Sequence, residues 1–250
     1  MQNKVSVIII TGNEENNIGE CLKSVTWADE IIVVDSESTD NTVNIARDYT
    51  DRVFIKKWEG YSKQKTYAVS LAQNEWILSL DADERVTPGL ASEIQDLVFN
   101  DINGYLIKRD NFFLGKKIIG CGWGNDWQLR LVRKSFSKLS DRQVHEKIIV
   151  EGQTGKLQNK LNHHSFRSVE DALVKINNYS SLEAKEKFQK IPVNKFTLLL
   201  SPPVYFLQHF ILKKGFLDGY RGIIISYLHM ITKLQVQLKI IELKKNHNPK

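Results

Sequence analysis

Glu75–Pro88, EWILSLDADERVTP, packs a strand, an acidic loop and a helix start into one short stretch. Trp76-Ile77-Leu78-Ser79-Leu80 is an apolar run that reads as a buried strand. It stops abruptly at Asp81-Ala82-Asp83-Glu84, and Thr87-Pro88 has the form of an N-cap followed by a first-turn proline. Acids at the carboxyl end of a buried strand are unfavourable unless a cation sits with them. A hard divalent ion carrying substrate phosphates would neutralise them. A polar strand-to-helix loop with solvated acids is the other reading, and a D-x-D pair alone does not choose between the two.

Toward the N-terminus the same pattern repeats. Val5–Thr11 is a nearly continuous β-branched run, as expected of a strand buried on both faces. Gly12-Asn13 breaks it, and Ile18, Cys21, Leu22 and Val25 recur at helical spacing. Glu30–Asp35 is a second strand and Ser36–Asp40 its loop; Val43, Ala46 and Arg47 carry the next helix. Val53–Ile55 is a third strand, and Ser62 is placed to cap a helix through Tyr67, Ala68 and Leu71. This alternation predicts an α/β fold with a mostly parallel, Rossmann-like sheet and right-handed crossovers. Ligands of such sheets sit at the carboxyl ends of the strands. That rule gathers Thr11/Asn13/Glu14/Glu15, Asp35/Ser36 and Asp81/Asp83 on one edge. Neither G-x-G-x-x-G nor G-x-x-x-x-G-K-[ST] is present, so the two common phosphate cradles are missing and the acidic pair with a metal takes their place. Asp35 has no cation nearby in sequence. It either accepts hydrogen bonds from a ring N–H or ribose hydroxyls, or caps the helix that follows.

The 250-residue length allows one domain, or one domain with an appendage. Lys and Arg outnumber Asp and Glu by 35 to 29, a net +6 that suits a nucleotide or an anionic membrane surface. It is too sparse for a dedicated nucleic-acid binder, so no nucleic acid is expected. Cys21 and Cys121 form neither a disulfide framework nor a zinc set, and the opening residues run directly into a strand rather than a signal peptide. Both point to a cytoplasmic protein.

Three motifs carry a family resemblance: V-S-V-I-I-I-T-G-N-E-E, I-I-V-V-D-S-E-S-T-D-N-T and W-I-L-S-L-D-A-D-E. Together they resemble the family 2 glycosyltransferases of GT-A fold, over roughly residues 4–90. D-A-D-E-R-V-T-P, N-F-F-L-G-K, D-W-Q-L-R-L-V-R-K, S-D-R-Q-V-H-E-K and G-F-L-D-G extend the likeness to about residue 230. They are similar to bacterial lipopolysaccharide-core glucosyltransferases of the WaaE/KdtX type. Gly12 and Ser36-Glu37 depart from the family's usual aromatic or arginine and from its Asp-Gly. The resemblance implies that Thr11, Asn13, Glu14 and Asp35 hold the nucleoside of a nucleotide-sugar, UDP-glucose for the nearest type. Asp83, with Asp81 at the ribose or through water, would bind Mg²⁺ or Mn²⁺ bridging the diphosphate. Lys63 and Lys65 add charge near the phosphates, or are solvated lysines on an exposed helix face.

The acceptor side follows. Gly104–Arg109 reads as a strand and 112–119 as a hairpin turning at Gly115-Lys116. Trp123 and Trp127 bracket Asp126 in a glycine-rich loop, where indole faces suit sugar rings. Asp126 stands where the family carries the base of an inverting transfer, and desolvation beside Trp127 would raise its pKa. Arg130, close behind it, is expected with Trp123 and Trp127 on the acceptor side. His145 is the expected late histidine on the metal or diphosphate. His163-His164 is a weaker candidate, since neighbours on a strand point to opposite faces.

Ser168-Val169-Glu170-Asp171 opens a helix with a capping box. The apolar stretch 196–212 is interrupted by Pro202-Pro203 and Gln208-His209 and falls short of a span of ~20 residues. Aromatic and basic residues here suit the interface of an anionic membrane. A helical pair packed on the catalytic domain, or a seam between copies of the chain, is the alternative. The organisation expected is a catalytic domain over 1–166, divided into a nucleotide-sugar half (1–100) and an acceptor half (101–166), with a helical extension over 167–250. The reading is an inverting, metal-dependent hexosyltransferase, peripheral on the inner face of the cytoplasmic membrane, with a lipid-anchored saccharide as acceptor. A sugar-1-phosphate nucleotidyltransferase and a non-catalytic membrane adaptor are the competing classes.

Overall fold

The computed structural model describes residues 4–97, 101–139 and 148–247. Contacts divide the chain into two compact units: Met1–Arg109 with Trp127–His163, and Asp110–Asp126 with His164–Lys250. The glycine- and tryptophan-rich loop thus groups with the C-terminal helices, whereas the sequence reading placed it in a 101–166 half.

The first unit is built as the alternation predicts. β1 (Val5–Thr11), α1 (Ile18–Lys23), β2 (Glu30–Asp35), α2 (Thr42–Arg47), β3 (Val53–Ile55), α3 (Tyr61–Leu71) and β4 (Trp76–Asp81) follow in turn. β5 (Glu84–Val86) and α4 (Pro88–Gln95) complete that series. β6 (Ile102–Phe113), β7 (Lys116–Lys117), β8 (Asp126–Arg133), β9 (Ser137–Leu139), β10 (Ile148–Val150) and β11 (Gln153–Phe166) come next. The main sheet runs β3-β2-β1-β4-β8-β6-β11-β5. Its first four strands are parallel, and β8 joins β4 antiparallel. Alternate residues of β1 feed two cores: Val5, Val7 and Ile9 pack with α1 and α4, and Ile8 and Ile10 with Ala68 and Ala72. That two-sided burial is why β1 reads as an unbroken apolar run.

Local chemistry sets the element ends. Thr87 Oγ1 accepts the Leu90 N–H at 3.3 Å with Pro88 in the first turn, as expected. α3 instead starts one residue before the expected Ser62 cap: Gly60, at φ +103°, occupies the cap position, which few other residues tolerate.

In the second unit, β6 pairs with β7 across a turn at Leu114-Gly115, one residue earlier than read, with positive φ at both positions. Those dihedrals suit a two-residue hairpin. Three helices follow: α5 (Val169–Lys187), α6 (Lys195–Leu207) and α7 (Tyr220–His247). A π-helical turn, Gln208–Leu212, and a 3-10 turn, Gly215–Asp218, join the last two. Phe113, Ile118, Cys121, Ala172, Ile176, Ile225 and Leu228 form this unit's own core.

Candidate active site

Register brings three strand ends level. Thr11 lies opposite Asp35 and Ile10 opposite Asp81, so β2, β1 and β4 present their polar ends side by side. Asp35 is fully buried, and Ser38 donates to its carboxylate from N–H at 2.8 Å and from Oγ at 2.5 Å. Asp35 therefore closes its own loop. Asn13, at φ +55°, accepts the Thr39 N–H at 2.9 Å, and its own N–H donates to Ser38 Oγ at 2.7 Å. The Glu14 N–H donates to Thr42 Oγ1 at 2.8 Å, and Asn17 Nδ2 donates to the Glu14 carboxylate at 2.6 Å. Asn13, Glu14 and Asp35 thus knit the loops after β1 and β2 together. Thr11 Oγ1 and Gln64 Oε1 are buried with no hydrogen-bond partner among the described residues. Buried polar atoms are nearly always paired, so these two are open to a water or to a ligand's donor.

Asp81 and Glu84, at the end of β4 and the start of β5, meet three cations from elsewhere in the fold. Arg130, on β8, donates from Nη2 to Asp81 Oδ2 and to Glu84 Oε1, each at 2.5 Å. Lys65 Nζ, on α3, lies 3.1 Å from Asp81 Oδ1, and Arg109 Nη1, on β6, lies 3.1 Å from Glu84 Oε1. Burial pushes the Asp81 carboxyl upward, but Arg130 and then Lys65 outweigh it and hold it well below the usual carboxylate range. Burial likewise opposes the charge on Arg130, and Asp81 and Glu84 overcome it, so the guanidinium stays charged. Cys21 lies beneath this cluster, its Sγ 3.7 Å from the Asp81 carbonyl oxygen. Burial, with Glu84 and Asp83, pushes its thiol well up, so it is inert.

Asp83 faces a histidine. Its Oδ1 lies 3.5 Å from His163 Nε2, longer than the contacts to Asp81 and Glu84. Among the described residues no group of three or more His, Cys, Asp or Glu is poised to hold a metal. A carboxylate with one imidazole fits an ion that arrives with substrate phosphates, because Mg²⁺-type ions take one or two protein groups and complete their shell from phosphate and water.

The remaining expected residues are placed as follows. Lys63 is solvent-facing and pairs with Glu59 at 3.3 Å, whereas Lys65 is the buried lysine at Asp81. Arg130, expected at the acceptor, is instead buried and engaged by two acids. Trp127 is half-buried with Lys156 Nζ 4.9 Å from its ring centroid. In the second unit the half-buried Trp123 packs edge-on against Phe113 and tilted against Phe166, at the side of that unit's core. Asp126 is half-buried, and Asn111 Nδ2 donates to its Oδ2 at 3.2 Å and to the Trp123 carbonyl at 3.0 Å. His145 lies outside the described residues. Of the adjacent pair, His163 faces Asp83 and His164 stacks on Phe112 at 4.9 Å.

Arg109 was not singled out from sequence, and Lys65 was not separated from Lys63. A signal for Lys65 existed: it shares a helical stripe with Ala68 and Ala72, all three buried. No local signal marks Arg109, which reaches Glu84 only through strand pairing. An open depression of about 500 Å³, lined by Lys4, Glu30, Arg52 and Asn74, lies at the opposite, amino ends of the strands. It is not where ligands of parallel sheets bind.

The fold is an α/β sheet whose parallel strands end in acids on one edge. The model of glycosyl transferase family 2 matches residues 6–158, more than half of the chain, and the chain belongs to that family. Over 96% of its length it is 32% identical to an uncharacterized glycosyltransferase of Rickettsia typhi, covering 87% of that protein. Over 90% of its length it is 29% identical to the lipopolysaccharide core biosynthesis glycosyltransferase LpsC of Rhizobium meliloti, covering 89% of it. Among solved structures, S. aureus TarS 1–349 in complex with UDP aligns over 99% of this chain and 93% of its own, with a TM-score of 0.47 and 17% identity. The chain is a glycosyltransferase, and the nucleotidyltransferase and adaptor readings give way to that membership.

Proposed function

We propose that this enzyme transfers a hexose, glucose from UDP-glucose, with inversion to a lipid-linked saccharide of the lipopolysaccharide inner-core kind, at the inner face of the cytoplasmic membrane. The observation that carries the donor half is the charge arrangement after β4. Lys65, Arg130 and Arg109 neutralise Asp81 and Glu84, and Asp83 is paired with His163. The likeness to LpsC supports the acceptor class.

Asp83 and His163 would hold Mg²⁺ or Mn²⁺, which when bound supplies Lewis-acid stabilisation of charge on the leaving diphosphate. Thr11 Oγ1 and Gln64 Oε1 receive polar groups of the nucleoside, on the edge that Asn13, Glu14 and Asp35 brace. Lys65 and Arg130 fix the Asp81 carboxylate in its charged form. We assign Asp126 as the base that takes the acceptor hydroxyl's proton, on its place in the Asp126–Leu129 stretch that resembles the family's base motif. Asn111 orients it.

Calorimetry and a transfer assay with UDP-glucose and Mn²⁺ test the assignment. Asp83→Ala is expected to lose metal-dependent donor binding and transfer together while staying folded. Asp126→Asn is expected to keep donor binding and lose about 10²- to 10⁴-fold in transfer rate, the range of a general base. Full activity in Asp126→Asn would remove the base assignment.

A further inference from the structure

The C-terminal unit carries a surface for which the transfer chemistry has no use. α6 is apolar on two opposite faces. One packs on α7 and buries Pro202. The other, Phe196, Leu199, Leu200, Val204 and Leu207, recurs at helical spacing, continues to Ile211 in the π-helical turn, and stands in solvent, with Phe196 75% and Leu199 73% exposed. The turn beyond extends it through Leu212, at 78%, with Phe216 and Leu217. A continuous apolar surface of this kind marks a docking face rather than scattered exposure.

Its charge identifies the occupant. Residues 188–241 hold six Lys and one Arg against a single acid, Asp218. That acid is buried and engaged, accepting the N–H groups of Ile119 at 3.0 Å and Gly120 at 2.7 Å. Every exposed formal charge in this segment is therefore positive. Lys213 and Lys214 sit with Ile119, Leu212 and Leu217 on an open groove of about 370 Å³. The groove is built rigidly: Lys214 holds a left-handed φ of +55°, and its carbonyl lies 2.3 Å from where a Cβ on Gly120 would be. An isologous contact with a second copy would set the same cationic patch against itself. Among the described residues no helix is long and apolar enough to cross a membrane.

We propose that the outer face of α6 and the 211–217 turn lie in the interface of an anionic bilayer. The apolar stripe enters the headgroup–acyl boundary, and Lys213 and Lys214 meet lipid phosphates at the groove. The biological purpose assigned to this contact rests on the lipid-linked acceptor proposed above; its physical basis does not.

Co-sedimentation with empty vesicles tests it without donor or acceptor. The enzyme is expected to pellet with phosphatidylcholine vesicles containing phosphatidylglycerol, to release as salt rises, and to remain in solution with phosphatidylcholine alone. The Leu199→Glu/Leu212→Glu double variant is expected to lose binding with its melting temperature and UDP-glucose affinity unchanged. Lys214→Gln is expected to weaken binding about fivefold. Equal pelleting by the double variant and the parent, or light scattering that shows a dimer which the double variant dissociates, would overturn the proposal. A parent enzyme that stays in solution with anionic vesicles yet keeps metal-dependent donor binding sinks this inference alone, and a parent that pellets but shows no metal-dependent donor binding sinks the donor assignment alone.

Discussion

Arg130 shows how the acidic cluster is tolerated. Glu84 is fully buried, and Arg130 meets it and Asp81 with one nitrogen. Removing one partner of such a pair leaves an uncompensated buried charge, which costs about 3–5 kcal/mol. Arg130→Met is therefore expected to lower the unfolding free energy by that amount, read as a lower urea midpoint, with Arg109 and the Asp81 N–H still on Glu84. Arg130→Lys keeps the charge but presents a compact ammonium instead of a planar fork, and should recover only part of the loss. An unchanged midpoint in Arg130→Met would mean that the cluster does not depend on it. From sequence, the three acids called for a cation and a metal was the natural candidate. The protein itself brings three cations to Asp81 and Glu84, and Asp83 faces His163.

At the scale of elements, the turn joining α6 to α7 is built by close backbone approach. A Cβ on Gly222 would fall 1.8 Å from the Gly215 carbonyl oxygen, and one on Gly215 would fall 2.6 Å from Cys121 Sγ. Gly→Ala inside a helix ordinarily stabilises by up to ~1 kcal/mol. At Gly222 the sign is expected to reverse, with overpacking costing about 1–3 kcal/mol or more, read as a lower melting temperature. Gly19→Ala in α1 is the control: its Cβ meets only Ile45 Cγ2 at 3.4 Å, so the variant is expected to be neutral or mildly stabilising. The strands and helices of the first ninety or so residues were legible because each has its own period and punctuation. The 102–113 strand was read as two pieces, because its half-buried residues break the alternation that marks a strand.

For the molecule as a whole, one contribution to the response to acid comes from the buried His209 and the half-buried His229 of the C-terminal unit. His209 stacks on His229 with centroids 3.8 Å apart, and Lys213 Nζ lies 3.0 Å from His209 Nε2. Burial, then His209 and Lys213, push the His229 pKa down to about 3. A folded-state pKa below the unfolded value of about 6.5 means that the unfolded chain takes up the proton first. The stability held above pH ~6.5 is therefore lost as pH falls toward 3, at no more than about 1.4 kcal/mol per pH unit from this group. His229→Phe is expected to flatten the fall in urea midpoint between pH 7 and pH 5, and an unchanged slope would assign the acid sensitivity elsewhere. The histidine pair, like the acid–cation cluster, joins residues distant in sequence. By itself the sequence determined the parallel half of the sheet, the edge where its polar ends collect and the family, because those follow from periodicity and contiguous motifs. Only the tertiary structure decided which lysine faces Asp81, that Arg130 serves the acids, that His163 rather than His164 meets Asp83, and that Trp123 packs against a core. Those outcomes depend on strand register and helix rotation, which bring together side chains that no local pattern links.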